Sequence, residues 1–318
     1  MKEQLELLNS VTINFGAGGM AIVNIILAFV MFGVALGLKP KMLKEIFDKP
    51  KSIMVGVFLQ WVALPAVTFA IAFVLNPFIT PMIALGMLLV ACCPGGNISN
   101  FLSSLSNGNT ALSISLTAIT TSMAPIVTPF NFFLWGSLYS HLISIKNDIP
   151  QLMIPFMPML EQILLLLGLP IVLGLLFAHC FPKATKIISK PLQVLSVLLF
   201  VGMVIVSFAQ NFQIFIDNIF YVFFIVMVHN AAALATGYYG GQLFGLSRYN
   251  KRTLTIETGI QNSGLGLILL FNPVIFPPET WHGQYGGMLF ITAWWGIWHI
   301  ISGLAVSYYF RSMDKKYE

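Results

Sequence analysis

An all-α, membrane-spanning fold is what this 318-residue sequence predicts, on three observations: its composition, a succession of apolar runs of bilayer length, and the placement of its basic residues between those runs. Hydrophobic residues make up 57% of the chain and charged ones 8%, with a mean hydropathy of +0.86. A soluble domain carries about a quarter charged residues, and no soluble core needs this much apolar surface. Crossing roughly 30 Å of hydrocarbon takes about 20 helical residues. Nine runs of that kind are expected, over residues 17–38, 52–75, 80–106, 110–140, 152–181, 188–210, 217–245, 252–274 and 286–310.

The first run ends at Lys39, which opens a segment holding five lysines (39–51). The second carries a lone amide, Gln60, in GVFLQWVALP. The third is apolar until it reaches CCPGGNISN (92–100), and only SNGN (106–109) separates it from the fourth. The fifth has Glu161 near its outer end, and the sixth follows Lys183, Lys186 and Lys190. The seventh runs from Asp217 towards Arg248, the eighth contains TIETGIQNSG (255–264), and the ninth contains WHIISG (298–303) and stops at Arg311.

Orientation follows from the bases, because Lys and Arg accumulate in cytoplasmic loops. With nine spans and the N-terminus outside, the cytoplasmic segments are 39–51, 106–109, 182–190, 246–251 with its flank Arg252, and the tail from Arg311. Of the 16 Lys and Arg, only Lys2 and Lys146 fall elsewhere. The net charge of +5 is therefore a topology signal, and no nucleic-acid partner is expected. One Lys precedes the first run and five follow it, which suits a retained N-out helix rather than a cleaved signal. Cys92, Cys93 and Cys180 lie in apolar runs, where their spacing suggests packing and neither a disulfide framework nor a zinc site.

Glu257 stands apart from the other acids. It lies about 7–8 Å of helix rise beyond Arg252, inside an apolar run, and an ionised carboxylate at such depth is costly unless paired. One reading is a structural ion pair with Arg252 or Lys251. The other rests on the two polar breaks. Pro94, Gly95 and Gly96 cannot continue a regular helix cheaply, and GIQNSG (259–264) interrupts the other half of the chain in the corresponding part. Interrupted segments in matching positions of two halves point to a transporter's midplane site. The residue types suit a small hard cation, which prefers oxygen ligands: Ser99 and Asn100 at the first break, Ser113 and Thr117 at i and i+4 on one face of the next helix, and Glu257 with carbonyls around 258–261. Polar packing between helices remains the alternative for Ser113 and Thr117.

The strings CCPGGNISN, GNTALS, TIETGIQNSG and WHIISG closely resemble the bile acid:sodium symporter family, and the resemblance runs from about residue 17 to the end. It implies inverted five-helix repeats, a panel domain (about 17–38, 152–181 and 188–210) and a core domain (52–75, 80–106, 110–140, 217–245, 252–274 and 286–310) in which two broken helices cross. It also implies two co-transported Na⁺ ions. The family's first sodium site falls on Ser99, Asn100, Ser113, Thr117 and Glu257. The second falls on Gln60, Glu257, Thr258, Ile260 and Gln261, with Thr258 and Ile260 offering carbonyls. The organic anion is expected against Asn262, His299 and Asn97. Bile acids, steroid sulfates, pantoate and 2-oxo acids are all family cargoes. Only about 15 residues precede the first run, so the first helix of the family's ten-helix arrangement is missing.

The expectation is thus a multi-pass protein of a cell membrane, the inner membrane if bacterial, N-out and C-in, carrying organic anions with Na⁺ and calling for no obligate protein partner. A proton-coupled carrier in which Glu257 itself titrates is the nearest rival. An intramembrane enzyme using Glu257 and His299 as acid and base would need a nucleophile or metal motif at workable spacing, and none is found.

Overall fold

A computed structural model of the chain describes residues 2–9, 25–26, 28–29, 32–33, 35–36, 50–96, 98–147, 154, 156–209, 212–272, 275–276 and 285–314. Among these residues every regular element is a helix. We number them α1 (Lys2–Asn9), α2 (Pro50–Leu75), α3 (Pro81–Cys92), α4 (Ile98–Leu105), α5 (Thr110–Asn147), α6 (Phe156–Ile163 continuing through Leu164–Gly168 and Leu169–Cys180), α7 (Pro182–Ala209), α8 (Phe212–Leu243), α9 (Arg248–Gly259), α10 (Ser263–Leu270) and α11 (Gly286–Asp314). Five stretches of helix among the described residues are long and apolar enough to cross a membrane: Pro50–Leu75, Thr110–Lys146, Leu160–Cys180, Ile216–Leu243 and Gly286–Asp314. The expected runs 80–106 and 252–274 are each split into two short helices, α3 with α4 and α9 with α10. Most of run 17–38 lies outside the described residues.

Local chemistry accounts for the helix boundaries. Thr80 caps α3, its hydroxyl accepting from the Ile83 amide at 3.3 Å, and Pro81 takes the first position, where its missing N–H costs nothing. Ser247 caps α9 in the same way through the Asn250 amide. Both long π-turns, Leu59–Ala63 and Leu164–Gly168, stand just before a Leu–Pro pair. Pro65 cannot donate to the Trp61 carbonyl, and Asn131 of α5 supplies the missing donor at 2.8 Å. Where the sequence predicts a cytoplasmic connection at 182–190, the chain is already helical from Pro182, with Lys183, Lys186 and Lys190 exposed along one side. Proline at the first helical position favours that early start.

Helices approach closely where a side chain is absent. A Cβ on Gly237 of α8 would lie 2.3 Å from the Leu254 carbonyl of α9, so only glycine admits this contact. α3 is buried on every side, as a helix enclosed by protein rather than lipid must be. The helical residues around 32–36 pack on α6, with the Phe32 and Phe177 rings 5.9 Å apart.

One element was not legible beforehand. Residues 1–16 read as an outer tail, yet α1 buries Leu5 and Leu8 completely against α8 and α11. Two leucines three residues apart in an eight-residue helix make too short a pattern to register.

Candidate ion-binding site

The two breaks cross and hold each other. α3 ends at Cys93, which is extended (φ −73°, ψ 157°), and α9 ends at Ile260 (φ −111°, ψ 87°). The Gly96 amide donates to the Ile260 carbonyl at 2.8 Å, the Asn262 amide donates to the Pro94 carbonyl at 2.8 Å, and Gly95 pairs with Gln261 as an isolated antiparallel bridge. Backbone groups released by the broken helices thus satisfy one another, as the low-dielectric surroundings require. Glycine is needed at 95 because a Cβ there would sit 2.8 Å from Glu257 Oε2 and 3.0 Å from Gln60 Nε2.

Glu257 is fully buried beside this crossing. Its Oε1 accepts from Ser99 at 2.5 Å and from Ser113, and the Thr117 hydroxyl lies 3.3 Å from Oε1 and 3.2 Å from Oε2. The Asn100 side-chain oxygen is 3.0 Å from the Ser113 hydroxyl and 3.4 Å from that of Thr117. The five residues assigned to a first sodium site therefore converge, from α4, α5 and α9. The competing ion-pair reading fails. Arg252 is engaged by both oxygens of Asp314, at 2.6 and 2.8 Å, and the Lys251 ammonium stands 5.2 Å over the Tyr238 ring. Among the described residues the recorded ion pairs all end on Asp314 and none reaches Glu257.

The second constellation gathers at the C-terminus of α9. Gln60 donates to the Glu257 carbonyl at 2.9 Å, and Gln261 donates to that of Thr258 at 2.9 Å. Among the described residues, three buried oxygens here have no hydrogen-bond partner: Gln60 Oε1, Gln261 Oε1 and Thr258 Oγ1. An orphaned buried oxygen carries a desolvation penalty, so three together at one helix end suit a donor or a cation. The Ile260 carbonyl already accepts from Gly96 and has one lone pair left to give.

The residues expected to meet an anion are less clearly gathered. Asn262 caps α10, its oxygen accepting from the Leu265 amide at 3.0 Å, which turns its amide group over to other uses. His299 is buried, with no partner for Nδ1 among the described residues. It shares a face of α11 with Gly296 and Gly303, whose positions abut Ser263 and Ile260 of the second break. No hydrogen bond between His299 and Asn262 is present among the described residues, and Asn97 lies outside them.

Sequence reasoning missed Asn230. Fully buried on α8, it donates to the Gly259 carbonyl at 2.7 Å and accepts from Ser302 of α11 at 2.6 Å, so it ties the second break to the helix of His299. Its neighbour His229 meets the Thr68 hydroxyl at 2.8 Å and packs on Trp295. The signal was present as an adjacent His–Asn pair in the middle of an apolar run.

Residues 24–218 match the model described as the Sodium Bile acid symporter family. The chain belongs to that family. The matched segment includes Gln60, Ser99, Asn100, Ser113 and Thr117 and ends before Glu257. The chain is 32% identical over 277 residues to the uncharacterized sodium-dependent transporter YocS of Bacillus subtilis (strain 168), covering 84% of this chain and 81% of that protein. It is 29% identical over 268 residues to the probable sodium/metabolite cotransporter BASS1, chloroplastic, of Arabidopsis thaliana, at 83% and 62% coverage. To the human ileal sodium/bile acid cotransporter it is 27% identical over 246 residues, at 77% and 67%. A member of a family of sodium-dependent transporters, with several helices of membrane length, it is a multi-pass membrane protein.

Proposed function

We propose that the protein is a Na⁺-coupled symporter of organic anions that works by alternating access. The observation that carries this reading is Glu257: a fully buried carboxylate ringed by three hydroxyls, with its candidate cationic partner Arg252 committed elsewhere. A buried anion of that kind is tolerable when a cation joins it. The first Na⁺ takes Ser99, Asn100, Ser113, Thr117 and Glu257. The second takes Gln60, Glu257, Thr258, Ile260 and Gln261, a set that includes the three partnerless oxygens.

Coupling follows from charge. Two Na⁺ against one carboxylate leave a net positive charge at the crossing, and an organic anion neutralises it. The anion binds at Asn262 and His299, beside the N-terminus of α10, whose dipole favours negative charge, with Asn97 as the further expected contact. With ions and anion aboard, the crossed helices move as a core against a panel built from 17–38, 152–181 and 188–210, so that the site faces the other side of the membrane. The chain crosses nine times, N-out and C-in. The cargo is a bile-acid-like or small organic acid. The cluster of hydroxyl and amide oxygens favours Na⁺ over a proton, which needs only the acid.

Uptake into proteoliposomes, with Na⁺ replaced by choline across a pH series, tests the coupling ion. A thermal-shift screen of bile acids, steroid sulfates, pantoate and 2-oxo acids in NaCl and in choline chloride tests the cargo. Stabilisation by one of these anions only when Na⁺ is present is expected. Uptake that follows pH and ignores Na⁺ would overturn the reading in favour of proton coupling.

A further inference from the structure

We infer that the Arg252–Asp314 ion pair is a remote positioning lock on the first sodium site, and that Asp314 at the cytoplasmic end of α11 thereby sets how tightly Na⁺ is held; this rests on the sodium reading above. All of that site's ligands come from three segments: α4 brings Ser99 and Asn100, α5 brings Ser113 and Thr117, and α9 brings Glu257. The turn joining α4 to α5 is residues 106–109, with Asn107 in the left-handed region (φ 52°). Arg252 lies five residues before Glu257 on α9. Its Nη1 donates to the Ser106 carbonyl at 3.1 Å and to Asp314 Oδ2 at 2.6 Å, while Nη2 donates to Asp314 Oδ1 at 2.8 Å. Asn107 Nδ2 donates to Asp314 Oδ2 at 2.9 Å, and Arg248 Nη1 stands 3.3 Å from Oδ1. Asp314 therefore joins the α4–α5 turn to α9 and both to α11, at a single carboxylate.

The surroundings make this carboxylate hard to replace. The Arg252 side chain is 4% exposed and that of Asp314 15%, and the guanidinium stands 5.4 Å over the Phe310 ring. A bidentate guanidinium–carboxylate pair fixes geometry as well as charge. Without Asp314, Arg252 becomes an uncompensated buried cation. It then either swings to water, releasing Ser106 and loosening the turn against α9, or stays as a positive charge about 7.5 Å of helix rise from Glu257. Both outcomes weaken Na⁺ at Glu257.

The test uses the full-length purified protein and Na⁺ itself as the probe, reading the midpoint of Na⁺-induced thermal stabilisation with choline holding the ionic strength constant. Asp314→Asn is expected to raise that midpoint about tenfold, in the ordinary range for coupling between separate sites. The charge-swapped pair Arg252→Asp with Asp314→Arg restores the ion pair but neither the donation to the Ser106 carbonyl nor the acceptance from Asn107, and is expected to recover only part of it. If Asp314→Asn does not fold, Asp314→Glu keeps the charge, displaces it by one methylene and is expected to raise the midpoint by a smaller factor. A lowered melting temperature in choline with an unmoved Na⁺ midpoint would mean a merely structural pair and overturn the lock. A wild type that Na⁺ does not stabilise would overturn the sodium reading and the lock with it.

Discussion

Replacing Glu257 by Gln isolates the charge at the centre of the site. Gln keeps the shape of the side chain and one oxygen, and Ser99, Ser113 and Thr117 remain able to donate to that oxygen. What disappears is the counter-charge for the proposed cations in a fully buried setting. At an effective dielectric of about 20, a unit charge pair about 4 Å apart is worth about 4 kcal/mol, which is on the order of a thousandfold in affinity. A site that is half-saturated at millimolar Na⁺ would then require molar Na⁺. The assay is Na⁺-induced thermal stabilisation of the purified variant beside proteoliposome uptake, with surface expression measured in parallel. The variant is expected to fold, since it no longer buries an unpaired charge, and to match or exceed the wild type's melting temperature in choline. Na⁺ should stabilise it no further, and uptake should cease. Glu257→Asp, which keeps the charge but shortens the reach, should retain part of both responses. A well-expressed Glu257→Gln protein with normal Na⁺ dependence would refute the reasoning, because it would show that the hydroxyls and amides hold the cation unaided.

Ser113→Ala and Thr117→Ala each remove one oxygen from the shell around Glu257, and half-saturating Na⁺ should rise about tenfold in each, the effect of about 1.4 kcal/mol, with uptake at saturating Na⁺ little changed; an unmoved Na⁺ dependence in both would return them to helix packing. Gly95→Ala puts a methyl 2.8 Å from Glu257 Oε2 and 3.0 Å from Gln60 Nε2, so overpacking should cost about 1–3 kcal/mol of stability and abolish Na⁺-driven uptake, an outcome checked by melting and transport on the same preparation. The orientation is tested by labelling: in a Cys180→Ser background, Leu7→Cys, on the 60% exposed side of α1, should react with an impermeant maleimide in intact cells, whereas Ile46→Cys should not. The reverse pattern would invert the topology.

The class of the protein and the residues of its candidate site were legible in one dimension, because a bilayer acts on the chain in one dimension. A run of about 20 apolar residues has few alternatives to a spanning helix, and the proline, glycine and amide clusters at 92–100 and 259–264 break such runs wherever the chain folds. So the two breaks, the hydroxyl pair at 113 and 117 and the odd carboxylate at 257 could all be named from residue order. What each of them touches could not. Arg252 was as good a partner for Glu257 as any, by proximity along the helix. Only the arrival of Asp314, 62 residues on, decided that the arginine is spent elsewhere and does not pair with the glutamate. Asn230 and α1 were passed over for the same reason: a polar pair in an apolar run, or two leucines in a short helix, acquire meaning from the surface they meet. Sequence period reports which face of a helix is apolar. It does not report which groups, 144, 158 or 197 residues away, are carried to that face, because their meeting is set by packing among helices whose contacts are non-directional until side chains interlock.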